Sequence, residues 1–238
     1  MRIDGREAAQ LRPVRITPNF IPSAEGSVLI EIGRTRVICT ATVEEVVPPF
    51  LRNTGKGWVT SEYAMIPRAT STRTTRESTT GKRSGRTLEI QRLIGRSLRT
   101  AIDMDRIGER TIWLDCDVIE ADGGTRTASI TGSFIALKQA VNGLLRGGKL
   151  TEDPMRSFVA AVSVGVVGGV PMLDLNYAED STADVDFNVV MTDKGEFVEI
   201  QGTAERHPFG EAALGDLLGL GRKGVFELIE HQRQVLSR

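Results

Sequence analysis

Apolar residues recur at two periods along this chain, and the changes of period mark its elements. Over residues 27–32 and 36–43 they alternate or run together, and Gly33-Arg34-Thr35 between the two runs is a hairpin signal. Pro48-Pro49 closes that unit, and residues 57–66 read as a further strand ended by Pro67. Residues 68–85 hold Thr, Ser, Arg and Gly with almost no aliphatic side chains, so they predict a loop that buries no core. From about 87 to 104 the period becomes helical, with Ile90, Leu93, Ile94, Leu98 and Ala101 on one face. A strand over 111–121 and the turn Asp122-Gly123-Gly124 lead to a second helix over about 128–145. Its stripe is Ile130, Phe134, Leu137, Val141 and Leu144, and Gly147-Gly148 stops it. The theme repeats with strands near 158–167, 172–177, 186–192 and 197–202, then helices from about 210 to 238. With no Pro- or Ser-rich linker, the pattern predicts an α/β (α+β) fold. Residues 1–238 form a single domain of two pseudo-duplicated β-α-β halves.

Composition narrows the class. A charged content of 26% and a hydrophobic content of 40% suit an ordinary globular protein. The 238 residues are enough to bury a substantial core. Residues 1–15 are charged and lack the apolar core of a signal peptide, and the apolar stretch 158–175 is broken by glycines and Pro171. The expectation is a cytoplasmic protein with no membrane segment. Cys39 and Cys116 sit in apolar runs and read as buried free thiols, and the two histidines exclude a histidine-rich metal site.

The formal charge of −1 announces no polyanionic partner, but charge is unevenly placed. Between residues 68 and 99 stand eight arginines and one lysine against two glutamates. Arg92, Arg96 and Arg99 fall at i, i+4 and i+7, on the helix face opposite the apolar stripe. Arginine's planar fork suits phosphate, and the absence of aromatics here points to backbone recognition without base stacking. A solvated basic face is the competing reading.

Asp122-Gly123-Gly124-Thr125-Arg126-Thr127 lies between a strand and a helix start. Two glycines let the backbone approach an anion that the first helical N–H groups face. An ordinary turn with threonine as the helix cap accounts for it equally well. Glu179, Asp180, Asp184 and Asp186 form a carboxylate cluster of the sort a hard cation prefers. Fully extended, Asp180 and Asp186 would stand about 20 Å apart, so they share an ion only if the chain turns back. Taken alone, the cluster reads as an acidic surface turn. Together, nest, arginines and carboxylates are the parts of metal-assisted phosphoryl transfer on a polyanion.

The order of motifs resembles the ribonuclease PH family. The resemblance runs through Leu11-Arg12-Pro13-Val14, Ala24-Glu25-Gly26-Ser27-Val28, Thr40-Ala41-Thr42-Val43-Glu44 and Gly57-Trp58-Val59-Thr60. It continues through the run from Gly85-Arg86-Thr87-Leu88-Glu89 to Arg96, then residues 122–127, Leu173-Asp174-Leu175-Asn176-Tyr177 and Gln201-Gly202-Thr203-Ala204-Glu205. It implies a ribonuclease PH-like, ribosomal protein domain-2-like fold and a phosphate-dependent 3′→5′ exoribonuclease acting on transfer RNA precursors. It further implies inorganic phosphate held by Arg86, Gly124, Thr125 and Arg126, and Mg²⁺ (or Mn²⁺) on Asp180 and Asp186. Catalysis falls to Asp180, Asp186 and Arg86. Arg68, Arg73, Arg76, Arg92, Arg96 and Arg99 guide the RNA, and six copies assemble as a homo-hexamer, a trimer of dimers. Two departures are Asn53, where a small residue is expected, and Arg206-His207 before Pro208-Phe209. A non-enzymatic RNA-binding ring subunit would lack the nest or the acidic pair. A small-molecule phosphotransferase would not need nine basic residues over 68–99.

Overall fold

The hairpin forms where the alternation places it. In the computed structural model, which describes residues 2–237, β2 (Gly26–Ile32) pairs antiparallel with β3 (Thr35–Glu44). Gly33 turns the chain at φ 58, a left-handed conformation that glycine adopts without strain. Around this hairpin a five-stranded sheet assembles in the order β1-β2-β3-β5-β4, with β1 spanning Val14–Pro18, β4 Trp58–Met65 and β5 Thr111–Glu120. β4 and β5 are parallel, joined through α1 (Glu77–Thr80) and α2 (Gly85–Ala101).

The second half is a four-stranded, wholly antiparallel sheet, β7-β6-β8-β9. Its strands are β6 (Val159–Val167), β7 (Val170–Leu173), β8 (Val185–Thr192) and β9 (Phe197–Ala204). The short helix α4 (Tyr177–Asp180) stands between β7 and β8, and α5 (Glu211–Leu236) closes the chain.

The helix α3 (Thr125–Arg146) joins the halves. It packs on β2, β3 and β5 from the first sheet and on β6 from the second. It is therefore buried on more than the predicted stripe: Ile135, Ala136 and Ala140 are as covered as Ile130 and Phe134. Approach is close enough that a Cβ on Gly26 would lie 2.0 Å from the Ala136 carbonyl oxygen. Buried side chains from both sheets form one cluster.

Several boundaries differ from the sequence reading. The predicted strand 172–177 ends at Leu173, because Asp174 takes φ 54 and Asn176 caps α4. The Asn176 side chain accepts from the Glu179 N–H, and Glu179 Oε2 accepts from the Asn176 N–H, both at 3.0 Å. The 68–85 segment is not all loop, since α1 makes one turn within it. Helix α2 starts two residues early, where the Ser84 hydroxyl caps the Thr87 N–H at 3.1 Å, and it ends at Ala101. Helix α3 starts at Thr125, three residues early, with Gly124 rather than a threonine at its cap position. The expected helices over 210–238 are one helix, and their last residue Arg238, like Met1 of the N-terminal segment, lies outside the described residues. Cys39 and Cys116 are buried free thiols facing each other across β3 and β5. No described helix is long and apolar enough to cross a membrane.

Candidate active site

Four elements deliver charge to one place. The turn after β5 puts Gly123 at φ 79 and Gly124 at φ 67, which exposes the first N–H groups of α3. Thr35 Oγ1 donates to the Gly123 carbonyl at 2.6 Å and accepts from the Asp122 N–H at 2.9 Å, fixing the turn against β3. Thr125 is buried, and its hydroxyl meets the Tyr63 hydroxyl from β4 at 2.8 Å.

Arg126, on the first turn of α3, is held from the second sheet. Its Nη1 donates to Gln201 Oε1 on β9 at 2.7 Å and pairs with Glu89 of α2 at 3.4 Å, while Gln201 Nε2 donates to Glu89 at 3.0 Å. Arg86 leads α2 and is exposed. It lines a cleft of about 660 Å³ beneath the 68–85 segment, together with Tyr63, Arg76, Arg83 and Gln91.

The chain turns back between Asp180 and Asp186. Asp180 ends α4, residues 181–184 turn, and Asp186 lies on β8. Burial raises the Asp180 carboxyl above the ordinary aspartate range, against the lowering pull of Arg86, Arg126 and Arg12. Burial likewise raises Asp186, and the Asp180 charge raises it further, again against Arg126 and Arg86. Glu205 adds to the repulsion on both. The two aspartates thus feel the same two arginines and each other. Burial and the Arg86 charge also act on Tyr63, the first raising and the second lowering its hydroxyl.

Two members of the predicted carboxylate cluster have other places. Glu179 is buried and forms a bidentate pair with Arg2 at 2.7–2.8 Å, so it serves the fold. Asp184 joins the backbone ladder, donating its N–H to Val166 and accepting from the Glu205 N–H. No group of three or more His, Cys, Asp or Glu side chains suited to a metal occurs among the described residues. Asp180 and Asp186 are a pair of partly buried carboxylates, neither with a side-chain hydrogen bond or ion pair to the described residues. Such a pair suits a hard dication that keeps most of its waters and takes other oxygens from a phosphate substrate.

The basic residues divide. Arg68, Arg73, Arg76 and Arg92 are exposed. Arg96 is engaged by Glu199 of β9 at 2.9 Å. Arg99 folds over the Trp58 ring at 4.5 Å and donates to the Val59 carbonyl at 2.9 Å. The helix face carrying Arg92, Arg96 and Arg99 is therefore not one free basic stripe. Tyr63, Glu89, Gln201 and Glu205 escaped the sequence reading as site residues. The matched runs over 85–96 and 201–205 carried a signal for Glu89, Gln201 and Glu205, and none covered Tyr63.

Comparison with known proteins identifies the family of the chain. The family described as "3′ exoribonuclease family, domain 1" matches residues 10–141, and its domain 2 matches residues 157–224. A protein named Ribonuclease PH from Bacillus cereus (strain G9842) is 59% identical over 239 residues, covering 100% of this chain and 97% of that one. Ribonuclease PH from Solibacter usitatus (strain Ellin6076) is also 59% identical, over 237 residues and 100% of both chains. Among solved structures, rice Rrp46 superimposes with a TM-score of 0.79 at 19% identity, over 99% of this chain and 100% of that one. An Archaeoglobus fulgidus exosome with RNA bound to the active site gives 0.80 at 24% identity, over 97% and 92%.

Proposed function

The chain belongs to the ribonuclease PH family of 3′ exoribonucleases, and from that premise we propose that it is a nucleotidyltransferase shortening RNA from the 3′ end by phosphorolysis. The observation that carries the reading is the convergence of Arg86 and Arg126 on the same two mutually repelling carboxylates, Asp180 and Asp186. Arg86, Arg126, Thr125 and the Gly124 turn hold inorganic phosphate, the co-substrate. A phosphate oxygen attacks the phosphorus of the last phosphodiester, the bond to the penultimate 3′-oxygen breaks, and a nucleoside 5′-diphosphate leaves. A proton reaches that 3′-oxygen through Asp180 or Asp186. Bound on the same pair, Mg²⁺ (or Mn²⁺) supplies charge stabilisation for the transferring group. One phosphoester replaces another, so the reaction runs backwards when diphosphate is plentiful.

The RNA is a transfer RNA precursor with a single-stranded 3′ end. Arg68, Arg73, Arg76 and Arg92 reach its backbone, while Arg96 and Arg99 add charge from behind their own contacts. Removing Arg76 is expected to lower the slope of log affinity against log salt by about 1, and removing Arg99 to leave the slope nearly unchanged. Filter binding across a salt series measures both. Residues 1–238 act as one domain, supported by the single buried cluster. The edge strands β1, β4, β7 and β9, with Phe197 and Ile200 exposed on the last, accord with a homo-hexamer built as a trimer of dimers. Free buried thiols accord with the cytoplasm.

The test is to incubate the protein with single-stranded RNA and Mg²⁺, with and without inorganic phosphate, and identify the mononucleotide. Diphosphates that appear only with phosphate support the reading. Monophosphates formed without phosphate would make the protein a hydrolase, and no product would favour a binding subunit.

A further inference from the structure

A buried ionic network lies behind the site, and the chemistry above leaves it unused. Arg2, Arg6, Arg12, Asp174 and Glu179 are each less than 9% exposed. Arg12 grips Asp174 with two donors, Nε at 2.9 Å and Nη2 at 2.6 Å. The same guanidinium donates to the carbonyls of Asp122 and Gly123, the turn that shapes the nest. Arg2 grips Glu179 with two donors and gives its others to the carbonyls of Leu173 at 2.7 Å and Asp174 at 2.9 Å. Glu179 immediately precedes Asp180. Arg6 completes the cluster, 3.5 Å from Asp174 and 3.6 Å from Glu179.

Buried ion pairs of this kind add little net stability, because desolvation offsets most of the attraction. What these do add is geometry. The nest belongs to the first half of the chain and the acidic pair to the second. Between residues 122–124 and 174–180 the only other hydrogen bond described is the Tyr177 N–H to Asp122 Oδ1, at 3.4 Å. The contact is tight, since a Cβ on Gly123 would come within 2.5 Å of the Leu175 carbonyl oxygen. Asp174 meets it in a left-handed conformation, φ 54, one that aspartate adopts more readily than most side chains.

We propose that Arg12 and Arg2 are positioning residues that fix the phosphate nest against the Asp180 helix, Arg12 setting the nest and Arg2 setting the acidic pair. This rests on the nest being the phosphate site. The two arginines then leave different kinetic traces. Arg12→Lys keeps charge and stem but cannot serve Asp174 and two carbonyls at once. It is expected to raise KM for phosphate between about 10- and 10²-fold, the cost of a displacement near 1 Å, with a smaller change in kcat. Arg2→Lys is expected to lower kcat about 10-fold with KM for phosphate nearly unchanged. Neither should alter the RNA dissociation constant measured without phosphate.

Phosphorolysis is followed at varied phosphate and saturating RNA, with circular dichroism melts to confirm folding. Should Arg12→Lys not fold, the near-isosteric Asp174→Asn weakens the same clamp and is expected to show the same rise in KM. Equal losses in kcat and KM for both arginine variants, or unchanged kinetics, would overturn the proposal. Arg126→Ala runs alongside. If it leaves KM for phosphate unaltered, the nest is not the phosphate site and that reading falls. If it raises KM while Arg12→Lys and Asp174→Asn do not, the clamp alone falls.

Discussion

Arg86→Ala is expected to abolish phosphate-dependent release of nucleoside diphosphates while RNA binding is largely kept. The guanidinium is exposed at the start of α2, and its charge reaches Tyr63, Asp180 and Asp186 alike. On the proposed reading its charge serves the attacking phosphate beside the acidic pair, and its removal leaves no buried partner unsatisfied. Loss of one well-aimed donor to transition-state charge costs about 10²–10³ in rate. RNA affinity should fall only by what one positive charge contributes, because the other arginines of 68–99 remain. Single-turnover rates with end-labelled RNA and a parallel binding titration separate the two quantities. Equal losses in binding and rate would mean that Arg86 serves the RNA, not the phosphate. Arg126→Ala is a less clean test, since it also removes a donor from Gln201 Oε1 and the ion pair of Glu89, leaving those two only each other.

What the sequence made legible, and what it hid, follows from the range over which each feature is determined. The β2–β3 hairpin and the apolar face of α2 are set by neighbours within a few residues, and both lie where the pattern puts them. Asn53, standing where a small residue was expected, has φ 62, a local demand that asparagine meets nearly as well as glycine. Arg206 and His207 are exposed, so their bulk meets no packing limit. The α4 capping box was written in Asn176 and Glu179, but the surrounding acids invited a metal-cluster reading instead. Sorting Glu179 from Asp180 required knowing that Arg2, 177 residues away, takes the first. Arg126 meets Gln201 only because the β8–β9 register and the seat of α3 bring them together. Arg96 and Arg99 looked equivalent to Arg92 by helical spacing, yet Glu199 and Trp58 claim them from other strands. Long-range partners of this sort have no periodicity to betray them.

Asp186→Asn is expected to remove activity and to stabilise the fold at neutral pH. Burial, the Asp180 charge and Glu205 together raise the Asp186 carboxyl above its unfolded value, and Arg126 and Arg86 only partly offset them. The folded chain then holds this proton more tightly than the unfolded chain does. Wild-type stability is free of the penalty below the ordinary aspartate pKa, about 3.9, and falls as pH rises through the higher folded value. Asparagine keeps the shape and carries no charge, so the variant's advantage is largest at neutral pH and vanishes in acid. Single stabilising substitutions commonly add about 0.5–2 kcal/mol, and each kcal/mol moves Tm by about 2–4 °C in a chain of this length. Loss of a positioned proton carrier costs about 10²–10⁴ in rate. Mg²⁺ should raise the wild-type Tm and leave the variant's unchanged, because only a paired site binds it in the folded state. Thermal melts from acid to neutral pH, with and without Mg²⁺, read all of this without an activity assay. A variant less stable than wild type at neutral pH would show that the native fold already satisfies Asp186, and its place in a metal and proton site would be lost.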